Sequence, residues 1–344
     1  MKRRLKSLFR IAISFVTIGV IMITVGLIMG GAGELSKEVT ELVHVMRVGI
    51  SETVERIPLL ERITNFSGFT IVVDVDKEGV SAEINDAYET MEGDYYNPVV
   101  ADAGEVECLD ISILNGVCRI LPSENGCFGV ESSDAEQYQC YVVENTLYLN
   151  ALPKDWGKSE AAEIILYVPE NQEYENVFLF CSGAGVVVDT ALTGTEMDVS
   201  SICGDNIINA DMDFKEMTMT AGIGTLSVKS LYTENLKLEV GTAEVVIENM
   251  TVGNMEANLG VGSILAQGST NGDIVLNCGI GSLEMLLAGE QDSYNYDISG
   301  SAESVQIGTD TLAGMVMERW IDNNADKQIT MSCAMGSVKI EFEE

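Results

Sequence analysis

Histidine is all but missing from this 344-residue chain: His44 is the one example. A Ser/His/Asp arrangement in the body of the protein is thereby excluded. Arginine is nearly as scarce beyond residue 100, where only Arg119 and Arg319 occur. A carbohydrate lyase, which needs a strong base and a cation, therefore lacks its parts, and the many carboxylates form no ordered pair at matching offsets for hydrolase chemistry. The cysteines contain no CxxC and no zinc spacing. The GxG phrases lack the third glycine of a dinucleotide fingerprint, and calcium-binding GGxGxD repeats are absent. No catalytic residue, metal or cofactor is expected. Basic side chains are few, 19 Lys and Arg against 54 Asp and Glu, and from residue 101 onward nine stand against forty. Such an acidic body repels nucleic acid. It also repels anionic lipid heads and wall polymers unless divalent cations bridge them. Aromatics make up only 6% of the chain, whereas glycine is common at 33 residues. That mix suits small repeated β units better than a large enzyme core.

The charge that is present is unevenly placed. Lys2, Arg3, Arg4, Lys6 and Arg10 precede residues 11–29, an uncharged stretch of nineteen residues (IAISFVTIGVIMITVGLIM). As a helix this stretch spans roughly 28 Å, close to a bilayer's hydrocarbon thickness. The basic flank places the N-terminus in the cytoplasm and everything after Gly33 outside. A cleaved signal peptide, cut near Gly30 or Ala32, is the competing reading, but the run exceeds the usual apolar core of about 7–15 residues. No cysteine follows the run directly, which argues against a lipoprotein. Gly26 and Gly30 form a GxxxG step through which two such helices could pair. Residues 34–65 carry Leu35, Val39, Leu42, Val43, Met46 and Ile50 at three- and four-residue steps, the stripe of an amphipathic stalk helix. His44 lies on that stalk as a surface residue. The stalk, like the transmembrane helix, offers a homo-oligomer contact. Residues 69–75 and 80–84 read as strands around Lys77, Glu78 and Gly79, and an acidic linker follows.

From residue 178 one phrase recurs: FCSGAGVVV, SSICGDNII, TAGIGTLSV, EVGTAEVVI, NLGVGSILA, NCGIGSLEM, SCAMGSVKI. Its second small residue falls at Gly185, Gly204, Gly224, Ala243, Gly262, Gly281 and Gly336. The first five steps are nineteen, twenty, nineteen, nineteen and nineteen residues, and the last spans about three coils or two coils with an insertion. Seven, five, three and one residues before each anchor the side chains are mostly apolar, as in Met217, Met219, Ala221 and Ile223, or Phe178, Phe180, Ser182 and Ala184. Alternation of this kind marks a strand with one buried face. After the anchor the phase shifts, with Leu226 and Val228 or Ile264 and Ala266 apolar. A structural corner at the anchor accounts for the shift.

Units of this kind bury their inward faces only by stacking, strand on like strand. The expected fold is all-β, a β-solenoid of about nineteen-residue coils; an evenly spaced sandwich is the alternative. Cys203, Cys278 and Cys333 fall at inward positions in coils read as several steps apart, too far for a disulfide. Cys181 falls outward. Cys108, Cys118, Cys127 and Cys140 are close enough in sequence to offer pairs. Leu109, Ile111 and Ile113, with Gly116 as a corner, continue the plan upstream, and residues 311–324 read as a helix with Met315 and Trp320 on one side. The chain thus divides into a cytoplasmic tail (1–10), a transmembrane helix (11–31), a stalk (34–65), short strands and an acidic linker (66–105) and a β-solenoid (106–344).

The string SGAGVVVD, the GIGS-type repeats and ISILNGVCRILPS resemble the bacterial putative-adhesin family of β-strand-repeat proteins, known largely as a domain of unknown function. The resemblance covers about residues 106–344. It implies a solenoid, a place in the cell envelope and a binding role without assigned catalytic residues. The expected function is a membrane-anchored, extracytoplasmic surface module meeting an envelope protein or glycan. The alternatives are an accessory of an envelope-stress signalling system, since related members are often encoded near such regulators, and a carbohydrate-active enzyme.

Overall fold

The computed structural model describes residues 65–66, 69–75 and 80–86, and residues 106–343 apart from 115, 133–137, 144, 152–162, 301–303 and 313–316. The expected transmembrane helix at 11–31 and residues 34–64 of the expected stalk lie outside the described residues. Among the described residues no helix is long and apolar enough to cross a membrane. Strands β1 (Asn65–Phe66), β2 (Phe69–Val75) and β3 (Val80–Asp86) form an antiparallel sheet of their own, with Val75 opposite Val80.

The repeat region is a stack of parallel rungs. Strand β12 (Leu192–Val240) carries the chain through successive coils without a break, and β13 (Glu244–Leu259), β14 (Ser263–Thr270), β15 (Ile274–Cys278) and β16 (Ser282–Ala288) continue the winding. Like residues meet like: Leu236 stands on Met255 and Ile274, Leu238 on Ala257 and Leu276, Val240 on Leu259 and Cys278. After the corner, Val245 stacks between Leu226 and Ile264. In the coils from Met217 to Cys278 the alternation predicted at seven, five and three residues before each anchor is the burial alternation observed, and the inward residues form one continuous core. Each fully buried Leu, Ile or Met contributes about 1.5–3 kcal/mol relative to exposure. Parallel pairing throughout these coils rules out the sandwich.

Each coil also has a third arm beyond the strand that follows the corner. Leu231 and Thr233 stack on Met250 and Val252, and these on Gly268 and Thr270. All but Gly268 are buried. The arm is too short and too rich in Asn, Thr and Gly to show a period of its own.

Three assignments need correction. In β10 (Glu173–Ser182) the register is displaced by one: Val177, Leu179 and Cys181 pair with Met197, Val199 and Ser201, an offset of twenty residues rather than nineteen, and a β-bulge follows between Cys181 and Ser182. Phe178 and Phe180 therefore lie on the opposite face, stacked at 6.3 Å, and Cys181 is buried in the core rather than outward. Secondly, the residues just before the anchors point outward. Val261, Ile280 and Met335 are exposed, Thr242 likewise, and Cys203 and Ile223 are half-buried. The turn at the corner has already begun there, so strand alternation no longer applies. Thirdly, residues 311–324 are not helical where described. Strands β19 (Asp310–Leu312) and β20 (Met317–Ile321) occupy them, and Trp320 is exposed. Met315 lies outside the described residues.

Coil order in space departs from coil order in sequence at both ends. Strands β4 (Cys108–Ile113) and β5 (Gly116–Pro122) sit between β8 (Thr146–Ala151) and β9 (Glu163–Val168) on one side and β10 and β11 (Ala184–Val188) on the other. At the other end β21 (Lys327–Cys333) and β22 (Ser337–Glu343) insert between β15 and β16 and the later-stacked β17 (Tyr294–Gly300) and β18 (Ser304–Ile307). The long final step is thus a coil that passes outward and a coil that returns inside it.

Antiparallel strands close both ends. Strands β6 (Gly129–Ser132) and β7 (Tyr138–Val143) pair with β9 and β8, and β19 and β20 pair with β18 and β17. They cover parallel edges that would otherwise template pairing with another chain. Phe128 at one end and Tyr294 and Tyr296 at the other are fully buried, and Lys327 Nζ lies 4.2 Å over the Tyr294 ring.

Candidate functional site

The corner positions form a close backbone stack. A Cβ on Gly224 would lie 2.2 Å from the Gly204 carbonyl oxygen, one on Gly281 2.1 Å from that of Gly262, and one on Gly336 2.3 Å from that of Gly281. Gly204 and Gly224 also adopt positive φ, 144° and 113°, where L side chains are strained. Ala243 is the buried exception in this column. Gly185 stands opposite Asp205 rather than Gly204, because this coil pairs with the next at an offset of twenty residues rather than nineteen. These residues shape the coil and offer no reactive group. What they expose is a short apolar ridge, in which Val261, Ile280 and Met335 follow one another on successive rungs.

The polar outer face of the first arm is laddered by amides. Asn235 donates to Glu216 at 2.7 Å, Asn254 to Asn235 at 3.0 Å, Asn258 to Glu239 at 2.9 Å and Asn277 to Asn258 at 2.7 Å. Each amide is held by the coil before it, so this face is preorganised and largely self-satisfied. Arg119 and Asp189 close a further link at 2.6 Å, and Asn209 donates to the same carboxylate at 2.8 Å. The Arg119 and Asn209 hydrogen bonds hold Asp189 below the usual carboxylate range.

The third arm carries the open feature. A surface groove of about 530 Å³ runs across the coils there. Asp211, Asp213, Ser230, Tyr232, Asn249, Thr251 and Ser269 contribute to its lining. Tyr232, Thr251 and Ser269 are direct rung neighbours on the outward position of that arm, a column of hydroxyl-bearing residues on strands about 4.8 Å apart. Tyr232 is 55% exposed. The arrangement can stack on a flat apolar face and exchange hydrogen bonds with a row of polar groups. None of these residues was singled out from the sequence. The steps of nineteen, nineteen and eighteen residues from Asp213 to Tyr232, Thr251 and Ser269, which repeat the coil spacing, are the signal that would have found them.

All eight cysteines are unbridged in this structure. Cys118 is pushed up to about 12 by burial and by the neighbouring Cys140 and Cys181, and Cys140 likewise to about 12 by burial. Such thiols are neutral at physiological pH and act as small apolar residues.

No functionally curated protein matches the chain. Among solved structures it is similar to a putative adhesin from Bacteroides fragilis, with 13% identity and a TM-score of 0.45 over 71% of this chain and 95% of the other. A putative adhesin from Parabacteroides distasonis is 9% identical, with a TM-score of 0.36 over 72% and 95%. A putative cell adhesion protein from Clostridium sporogenes is 10% identical, with a TM-score of 0.20 over 72% and 98%. The Toastrack DUF4097 family matches residues 135–341, more than half of the sequence, and this chain therefore belongs to that family.

Proposed function

We propose that this protein is a membrane-anchored interaction module that holds its acidic solenoid outside the cell and binds an extended glycan, without turnover, along the third arm. The observation that carries the reading is the Tyr232–Thr251–Ser269 column in its open groove. An exposed ring beside hydroxyl, amide and carboxylate groups suits a sugar chain, whose C–H faces stack and whose hydroxyls both donate and accept. The acidic surface, with a net charge of −35, favours a neutral or basic glycan over an anionic one. The uncharged residues 11–29 behind a basic flank support the anchor and its direction.

The full chain, purified in detergent, is to be applied to an array of neutral, basic and acidic oligosaccharides, with Tyr232→Ala beside it. Retention of a neutral or basic oligosaccharide, unchanged in mass after incubation and weakened at least tenfold by the substitution, is the expected result. Binding that Tyr232→Ala leaves intact, or cleavage of the bound sugar, overturns the reading. For the topology, protease added to intact cells is expected to remove the solenoid; a protected solenoid overturns that part.

A further inference from the structure

We propose that Cys278 and Cys333 are a disulfide site, oxidised by an external disulfide as the returning coil docks, and that the bond staples β21 into the stack. The two residues are 55 positions apart in the chain. Counted along the sequence their coils are separated, and the expectation was that no bridge could span them. The inserted topology overturns that: Cys278 and Cys333 are direct partners in the parallel β15–β21 register. Adjacent strands lie about 4.8 Å apart, inside the Cα separation of about 4.4–6.8 Å that a disulfide accepts.

Both side chains face inward, 2% and 1% exposed. The surroundings leave room for sulfur. A Cβ on Gly336 would come within 2.6 Å of Cys278 Sγ, and the rung beyond Cys333 is Gly300, which has no side chain. In the reduced pair Cys278 Sγ lies 3.4 Å from the Gly281 carbonyl oxygen.

The exchange balances. Cys333 thiolate attacks one sulfur of a small-molecule or protein disulfide, forming a mixed disulfide and releasing one thiolate. Cys278 thiolate then attacks Cys333 Sγ, forming the Cys278–Cys333 bond and releasing the second thiolate. The two protons lost by the cysteines go to the two leaving thiolates, and the external disulfide takes up the two electrons. Because the pair is buried once β21 is seated, exchange belongs to the docking step. The staple then holds the one coil that must enter between strands laid down earlier. Its formation in the cell rests on the extracytoplasmic reading, since disulfides persist in oxidising compartments.

To test it, the full chain is unfolded in urea, refolded in detergent with oxidised glutathione, alkylated, digested without reductant and mapped by mass spectrometry. The expected product is a single cross-linked peptide pair containing residues 278 and 333, separated by reductant and absent from Cys278→Ser and Cys333→Ser. Recovery of both cysteines as alkylated thiols, in refolded protein whose circular dichroism shows native strand content, overturns the proposal; this readout needs no variant to fold. The same mapping on cells quenched with acid separates the two readings. A bridge that forms in the refolded protein but is reduced in the cell supports the site and overturns the extracytoplasmic placement.

Discussion

A methyl carbon added to Gly262 would lie 1.8 Å from the carbonyl oxygen of Ala243, its neighbour one coil away. Backbone rather than a flexible side chain blocks it, so the coil spacing itself must open. Gly262→Ala is therefore expected to cost about 3 kcal/mol in urea denaturation. Gly126→Ala is the control. Nothing lies within 4 Å of its added carbon, and only its φ of 70° opposes the change, at about 1 kcal/mol.

Leu276 is fully buried between Ala257 and Met331 on the rungs either side. Leu276→Ala should cost about 3 kcal/mol, from lost burial and the cavity left in a column that cannot collapse. Ile280, four residues on, faces solvent, and Ile280→Ala should stay within about 0.5 kcal/mol. Chemical denaturation of the pair checks which of the two apolar columns is the core.

The Cys278–Cys333 bridge would close a loop of 55 residues. Chain entropy sets its stabilisation at up to about 4 kcal/mol. The unfolding midpoint of the oxidised protein should fall on adding reductant, and Cys333→Ser should be insensitive to reductant.

Asp189 has its pKa lowered in the folded state, chiefly by the hydrogen bonds from Arg119 and Asn209. Its contribution to stability is therefore present above the unfolded carboxylate value, 3.8, and is lost as pH falls through the lower folded value. Arg119→Met should raise the Asp189 pKa, read by NMR titration of its carboxyl carbon. The stability difference between the two proteins should be constant above about pH 5 and shrink as the solution becomes more acidic.

Much of the winding was legible in the primary sequence. The period of nineteen or twenty, and the inward offsets seven, five and three before each anchor, reappear as rungs in the coils from Met217 to Cys278. The reading failed where a local rule was interrupted. The twenty-residue offset between β10 and β12 put Phe178 and Phe180 on the other face, and the bend before each corner turned Val261, Ile280 and Met335 outward. The segment around Trp320 has a helical pattern of apolar residues, but it lies against the open edge of β17, and strand pairing there prevailed over local preference. The groove escaped notice because its arm has only two inward residues per coil, one of them Gly268.

Alternation and spacing along the chain by themselves determined that this protein winds into a β-solenoid with a glycine-lined corner, because inward and outward faces of a strand are written residue by residue. Which coils touch was decided only in three dimensions. Stacking order at the two ends depends on edges seeking partners, and that competition brings Cys333 onto Cys278 and β4 between β8 and β10. No pattern within one coil encodes it, since every coil presents nearly the same edge to every other.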